Sequence, residues 1–406
     1  MAAAAIFWLS ALGLTWVYAA YPATLAVAGR WRARPRARAP MTPAVSVLIA
    51  AHDEADRIAA KVANVRASSY PADRLEVVVA SDGSTDATVE AARRGGADVV
   101  LELPRHGKLA ALNAAAARSS AEILVFTDAD SSFEPDALAR LVSNFADPQV
   151  GGVAGSLVRT AAEGLGAGEG LYWRYEQWIK RLEDRLGSAV SATGQLYAIR
   201  RELFRPSSVA DGTDDFVLST QVVTAGRRLA FDPEARVTTV PPQSGRAELR
   251  RKVRLMNRGL RAAFSLGPLL LPWRGGMYGL QVLSHKILRR LVPLFLLGAL
   301  ASSVRLVVCG RRAWWTALAP QLAWYALAAL GALGRKRPWG RRRVLTTPYY
   351  FCLANTAAGI AVISVLRGRR YVVWQPERGA PVTDGVRARA PSTPESGARG
   401  GPRSKP

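Results

Sequence analysis

Four apolar runs, each long enough to cross a bilayer, bracket a polar segment of mixed helical and strand character, and this constrains the chain most. Residues 4–28 carry no charge, and 291–309, 313–334 and 344–366 are apolar apart from Arg305 in the first of the three. A spanning helix needs about 20 such residues. Backbone groups in lipid must bond among themselves, so these runs are expected as helices at both ends of a soluble part. The formal charge is +24, from 55 Lys and Arg against 31 Asp and Glu. Its placement is informative. Arg30, Arg32, Arg34, Arg36 and Arg38 follow the first run, and Arg335, Lys336, Arg337, Arg341, Arg342 and Arg343 separate the last two. Clustering beside apolar runs is the positive-inside pattern and argues for a membrane and against nucleic acid. No aromatic-interleaved basic motif of an RNA module is present. The charge follows the first run instead of preceding it, so an uncleaved anchor is expected, not a signal peptide. The reading is a multi-pass protein of the cell inner (cytoplasmic) membrane, with its soluble domain in the cytoplasm. Four crossings would return the C-terminus outside, whereas Arg367, Arg369 and Arg370 favour the cytoplasm, so the parity stays open.

The expected organisation is an N-terminal transmembrane helix over 1–29, a basic linker over 30–43 and a soluble domain over 44–260. An interfacial segment over 261–290, about three membrane helices over 291–370 and a mostly disordered tail over 371–406 follow. Gln281–Arg290 is amphipathic, as interfacial segments are. Within the soluble part, Val45–Ala50, Leu75–Ala80, Val99–Leu101 and Ile123–Thr127 read as strands. Helical stretches near Asp53–Asn64, Asp86–Arg94 and Leu109–Arg118 alternate with them. That alternation predicts βαβ units and a mainly parallel α/β sheet. Cys309 and Cys352 make no metal-ligand spacing.

The strand over 123–127 runs into Asp128-Ala129-Asp130. Two carboxylates one residue apart at a strand end can hold a hard divalent cation and the groups bound to it. The carboxyl edge of an α/β sheet is where such folds bind ligands. Lys108 opens a helix, where a cation and free N–H groups suit phosphate oxygens; a solvated surface lysine is the plain alternative. Asp82 follows a strand and opens a Gly-containing turn, a place where Asp also serves simply as a turn former. Asp214-Asp215 precedes a helical stretch, where a helix cap competes with catalysis.

Taken in order, VSVLIAAHDEADRI, LEVVVASDGSTDAT, HGKLAALNAA, ILVFTDADSSFEPDAL, SATGQLYAIRRELF and GTDDFVLSTQVVTAGRRLAF resemble glycosyltransferase family 2. The resemblance implies a GT-A nucleotide-diphospho-sugar transferase domain, related to polysaccharide synthases, that transfers sugar with inversion. It implies that Asp82 contacts the nucleoside, that Glu54 or its neighbours frame the uracil pocket and that Asp128 meets the ribose. It further implies Asp130 as the ligand of Mg²⁺ or Mn²⁺ and Asp215 as general base, with Asp214 where the family usually has Glu. Gln195 falls where the family lines its acceptor site.

Processive relatives carry QxxRW after the base. Here the stretch is Arg250-Arg251-Lys252-Val253-Arg254-Leu255-Met256-Asn257-Arg258. Only basic character remains, so Arg254 and Arg258 are candidates for the diphosphate or acceptor, or for anionic lipid headgroups. Tyr172, Trp173, Tyr175 and Trp178 either stack on sugars or pack at the membrane interface, the latter being preferred. The expected activity is transfer from a UDP-sugar to a saccharide or lipid-linked acceptor in cell-surface polysaccharide or glycolipid synthesis, with export or polysaccharide-assembly partners. A polyprenyl-phosphate monosaccharide transferase and an inactive membrane scaffold are the alternatives.

Overall fold

The computed structural model describes residues 1–159, 166–207, 213–239, 245–335 and 337–371. The expected disordered tail beyond Tyr371, part of the Gly-rich stretch 161–170 and Lys336 lie outside the described residues.

The alternating pattern folds as the periodicity implies. Strand β1 (Val45–Ala51) is buried along its whole length, as a strand covered on both faces must be. Helix α2 (Ala55–Arg66) leads to β2 (Leu75–Asp82), α3 (Thr88–Arg94) to β3 (Val99–Leu103), and α4 (Lys108–Arg118) to β4 (Ile123–Asp128). Successive side chains of a strand point to opposite faces, and each face has its own core. Val45, Val47 and Ile49 pack with Ile58, Val62 and Val65 of α2. Leu48 and Ala50 pack with Leu109, Leu112 and Ala115 of α4.

Beyond β4 come β5 (Ser131–Phe133), α5 (Ala137–Ser143), β6 (Val150–Arg159), α6 (Gly166–Arg185), β7 (Tyr197–Arg200), α7 (Asp214–Thr224) and β8 (Arg228–Thr239). The sheet order is β3-β2-β1-β4-β7-β6-β8-β5. The half from β3 to β4 is parallel. Strand β7 then runs antiparallel to both β4 and β6, and β5 runs antiparallel to β8. The sheet is therefore mixed, which corrects the expectation of a mainly parallel one. The regular βαβ alternation holds only as far as β4; beyond it β6 and β8 pair in parallel, while β7 and β5 run antiparallel to their neighbours.

Four helices are long and apolar enough to cross a membrane: α1 (Ala2–Trp31), α9 (Trp273–Val308), α10 (Arg312–Gly334) and α11 (Arg343–Leu366). Between β8 and α9 lies α8 (Gly245–Phe264), which packs along α11. The amphipathic stretch Gln281–Arg290 is continuous with the second apolar run of the chain, as part of α9, and includes a π-helical turn at Val282–Leu288. Its buried side is occupied by the soluble domain. His285 Nδ1 lies 2.7 Å from Glu183 Oε1 and Nε2 lies 2.8 Å from Glu176 Oε1. Arg289 Nη1 donates to Glu176 Oε2 at 2.7 Å, and Tyr21 of α1 donates to Glu183 at 2.7 Å. Burial opposes ionisation of Glu176, but Arg289 and His285 outweigh it and hold the carboxyl well below the usual range. The aromatic run of α6 packs on the membrane helices: Tyr175 donates to Tyr18 O at 3.0 Å, and Tyr172 meets Tyr350 edge-on at 5.7 Å.

The basic linker is docked against the soluble domain. Arg36 pairs with Asp184 and donates to Phe231 O at 2.8 Å and to Asn144 at 2.7 Å. Arg38 lies 3.5 Å from Asp232.

Candidate active site

The carboxyl ends of the parallel strands carry the candidate residues. Asp82 ends β2 and is buried. Its carboxylate accepts the backbone N–H of His106 at 2.8 Å and of Gly107 at 2.9 Å. Gly107 has φ +95°, a conformation that only glycine adopts readily. Together they set the start of α4, so the next residue, Lys108, turns inward.

Lys108 is buried and joins two distant acids. Its Nζ lies 2.6 Å from Asp128 Oδ1 and 3.0 Å from Asp214 Oδ2. Burial works against the charge, but Asp128 and Asp214 outweigh it and hold the ammonium above the ordinary lysine range. Asp128 also accepts from Gln195 Nε2 at 3.2 Å. Burial, set against the pull of Lys108, lifts Asp128 to about 6, with Asp130 and Asp214 adding to the rise. Asp214, at the start of α7, further accepts the Tyr197 hydroxyl at 3.2 Å. The Tyr197 ring lies flat on Phe126, with centroids 4.8 Å apart.

The remaining candidates surround this ion cluster. Asp130 is exposed, with no hydrogen bond or ion pair among the described residues. Its carboxylate therefore faces solvent with its oxygens unengaged. Glu54 is buried beside Arg57, 3.8 Å away. Burial raises it to about 7; Arg57 opposes the rise, and Asp130 and Asp128 reinforce it. Asp215 lies one residue beyond the Lys108 pair, and its Oδ1 accepts the Phe216 N–H at 2.9 Å. Asp214 is thus the member of the acidic pair bonded to the Asp128 cluster. Arg254 and Arg258 lie on α8, half-buried and buried respectively. In the same basic run, Arg251 pairs with Glu248 at 3.0 Å, and Lys252 pairs with Glu248 at 3.3 Å beneath the rings of Tyr172 and Tyr350.

Two further residues escape a reading of the sequence. Lys61 is buried on α2, donates to Ser131 Oγ at 3.2 Å and lies 3.8 Å from the Phe133 ring centroid. Burial lowers it to about 7, against the opposing pull of Asp128 and Asp130. A signal existed: Lys61 stands on the apolar stripe Ile58, Val62, Val65, where a charge needs a reason to be. Tyr197 carried no such signal, because its partner Asp214 is reached only through the fold.

Among the described residues, no group of three or more His, Cys, Asp or Glu side chains could by itself hold a metal ion. The donor set still fits a divalent cation bound together with a diphosphate, since Mg²⁺ commonly takes one or two carboxylates and completes its shell with phosphate oxygens and water.

Comparisons with known proteins bear on the family and the fold. The sequence model described as Glycosyl transferase family 2 matches residues 46–206. An N-acetylglucosaminyltransferase of Bradyrhizobium diazoefficiens is 27% identical over 312 residues, covering 68% of this chain and 61% of that protein. A poly-beta-1,6-N-acetyl-D-glucosamine synthase of Staphylococcus aureus is 26% identical over 215 residues, covering 49% of this chain and 50% of that protein. This chain thus spans between half and about three fifths of the length of these two relatives. In fold it is similar to a mannosyltransferase from Pyrobaculum calidifontis solved with GDP-Man and Mn²⁺, with TM-score 0.66 and 24% identity, covering 89% of this chain and 100% of that one. The segment that carries Asp82, Lys108, Asp128, Asp130 and Gln195 is a glycosyltransferase family 2 catalytic domain of GT-A-like fold.

Proposed function

We propose that the protein is a membrane-bound inverting glycosyltransferase. It moves a sugar from a UDP-sugar to a saccharide or lipid-linked acceptor at the cytoplasmic face of the membrane, in cell-surface polysaccharide or glycolipid synthesis. The observation that carries this reading is the Lys108 ammonium held between Asp128 and Asp214. It ties the acidic motif at the end of β4 to the acidic pair at the start of α7, forming one charged cleft at the sheet edge.

Within that cleft Asp128 faces the ribose and Asp130 holds Mg²⁺ or Mn²⁺. When bound, the ion neutralises charge on the departing diphosphate. Lys108 keeps two carboxylates close together at the start of α4, where helix N–H groups favour phosphate. Asp82 positions that helix start, while Glu54 closes the nucleoside side. Asp215 takes the proton from the acceptor hydroxyl as its oxygen attacks the anomeric carbon, and the bond to the diphosphate breaks on the opposite face. Gln195 orients Asp128 and lines the acceptor side. Arg254 and Arg258 supply positive charge along α8. The four long apolar helices bring a membrane-held acceptor to the site, a gain in orientation and not in chemistry.

UDP release by the purified full-length protein, assayed across a panel of UDP-sugars with and without chelator, tests the reading. Asp130→Asn and Asp215→Asn are each expected to lower turnover by at least a hundredfold. Release untouched by chelator overturns the metal role. A mild effect of Asp215→Asn beside a severe one of Asp130→Asn indicates an acceptor that is already ionised.

A further inference from the structure

Helix α11 rests on the soluble domain at both of its ends. Near its start, the Thr346 carbonyl lies so close to α6 that a Cβ on Gly168 would collide with it. Tyr350 meets Tyr172 of α6 edge-on at 5.7 Å, and the Tyr349 hydroxyl sits 2.8 Å from where a Cβ on Gly245 of α8 would lie. Near its end, Val362 shares an apolar cluster with Val190, Phe216 and Leu260. Just past the helix, the Arg369 carbonyl accepts from Arg261 Nη2 at 2.8 Å and from Asn257 Nδ2 at 3.4 Å, both on α8. Helix α11 therefore runs alongside α8, in the same direction, from Gly245 to Arg261.

Helix α8 fixes the level of this pair. It carries Arg250, Arg251, Lys252, Arg254, Arg258 and Arg261, and each such charge costs about 2.5–3.5 kcal/mol at a bilayer centre. Its start closely follows β8 in the chain, and Leu260 near its end packs in the cluster of Phe216. Both ends of α8 thus belong to the soluble domain. A crossing α11 of 24 residues would carry its last turn about 36 Å from its first, across the membrane and away from α8. Exposed arginines stand at both ends: Arg341, Arg342 and Arg343 before α11, and Arg367, Arg369 and Arg370 after it. A crossing would leave one of the two clusters on the far side, against the positive-inside bias. Helices α9 and α10 differ. They meet at the exposed Cys309, and Trp314 beside that turn packs on Phe7, near the start of α1, at 4.9 Å.

We infer that α11 does not cross the membrane: it lies in the lipid interface along α8, and the chain beyond it stays on the side of the soluble domain. The partner of its outer face is the lipid leaflet nearest that domain. Val344, Ile360, Ile363 and Leu366 are exposed, while Ala357 and Ala361 are buried against the protein. Half of the apolar stretch of α11 is covered by protein, against 28% or less in α1, α9 and α10. Acyl chains suit the exposed residues, and anionic headgroups suit the arginines at either end. With α1, α9 and α10 as the crossings, the number is odd. The conflict between four apolar runs and the basic residues after the last one then disappears.

Full-length protein carrying single cysteines tests this in spheroplasts of a bacterial expression host. Native Cys309 is kept alone in Cys352→Ser. Ala72→Cys, at an exposed position of the soluble domain, and Ser392→Cys, beyond α11, are each made in Cys309→Ser/Cys352→Ser. A membrane-impermeant maleimide is applied before and after permeabilisation. Ala72→Cys and Ser392→Cys are expected to label in the same state, and Cys309 in the opposite one, with at least a tenfold contrast. Labelling of Ser392→Cys together with Cys309 overturns the inference. Depth is read separately, with bimane on Thr356→Cys, exposed midway along α11, or on Leu297→Cys, exposed within α9. Lipids spin-labelled near the headgroup should quench Thr356→Cys at least threefold more than lipids labelled at the chain end, and Leu297→Cys should show the reverse. Chain-end quenching of Thr356→Cys equal to that of Leu297→Cys overturns the interfacial placement. Neither readout involves a nucleotide, so a failure to bind UDP removes the transferase reading and leaves this inference standing.

Discussion

Lys108 and Asp214 meet at 3.0 Å although one opens α4 and the other opens α7. This contact joins the parallel part of the sheet, at the start of α4, to the later part, at the start of α7. Because Lys108 also holds Asp128 at 2.6 Å, one positive charge is bonded to two acids, one buried and one half-buried. Removing one member of such a group leaves an uncompensated charge, at a cost of about 3–5 kcal/mol. Lys108→Met is expected to lower the thermal midpoint in detergent sharply. The double variant Lys108→Met/Asp214→Asn should recover part of that loss. A loss no smaller in the double variant would mean that the pair is not coupled.

Glu54 gives a pH signature. Its folded value of about 7 lies above the ordinary value for an unfolded glutamate, with burial as the main cause. The folded protein therefore holds a proton that the unfolded chain has released between about pH 4.3 and 7. Stability contributed by this group falls as pH rises through that window and is level above it. Glu54→Gln removes the titration. The variant should gain about 2–3 kcal/mol over the parent at pH 8, and the gain should disappear toward pH 4. Thermal midpoints of both proteins across that range, taken in chelator, check the slope. A gain that is constant with pH would contradict it.

The linker that follows α1 is predicted to be structural. The side chain of Arg36 is 9% exposed and that of Asp184 12%, so their ion pair is largely out of water. Arg36→Ala should destabilise the soluble domain by about 3 kcal/mol or more, because Asp184 is left buried without its partner. Arg32 is exposed, and Arg32→Ala should leave the midpoint unchanged. Limited proteolysis between α1 and β1, faster in Arg36→Ala than in Arg32→Ala, gives an independent readout.

Local patterns decided a good deal. The β-branched runs before Ala51, Asp82, Leu103 and Asp128, separated by helical stretches, set the first four strands and their helices. The uncharged runs set the long apolar helices. Each of these signals lies within a few residues of the element it specifies, because side-chain alternation and helical periodicity are short-range properties. The placing of Asp128 and Asp130 at a strand end was legible for the same reason.

What the tertiary structure decided is direction, pairing and partner. Strand β6 was unreadable because Gly151, Gly152 and Gly155 interrupt it. Gly151 is there because a Cβ would come within 2.4 Å of Leu203 and 2.6 Å of Arg227. The reversal at β7 makes the sheet mixed, and no local periodicity encodes the direction of a strand. Asp82 is turned onto the backbone of residues 106 and 107, Asp214 instead of Asp215 meets Lys108, and Lys61 is buried beneath the acidic edge. Each of these depends on charges that are far apart in the chain being enclosed at one place. Once water is excluded, a carboxylate must take whatever donor the fold presents. That choice is made by packing, and a one-dimensional pattern does not contain it.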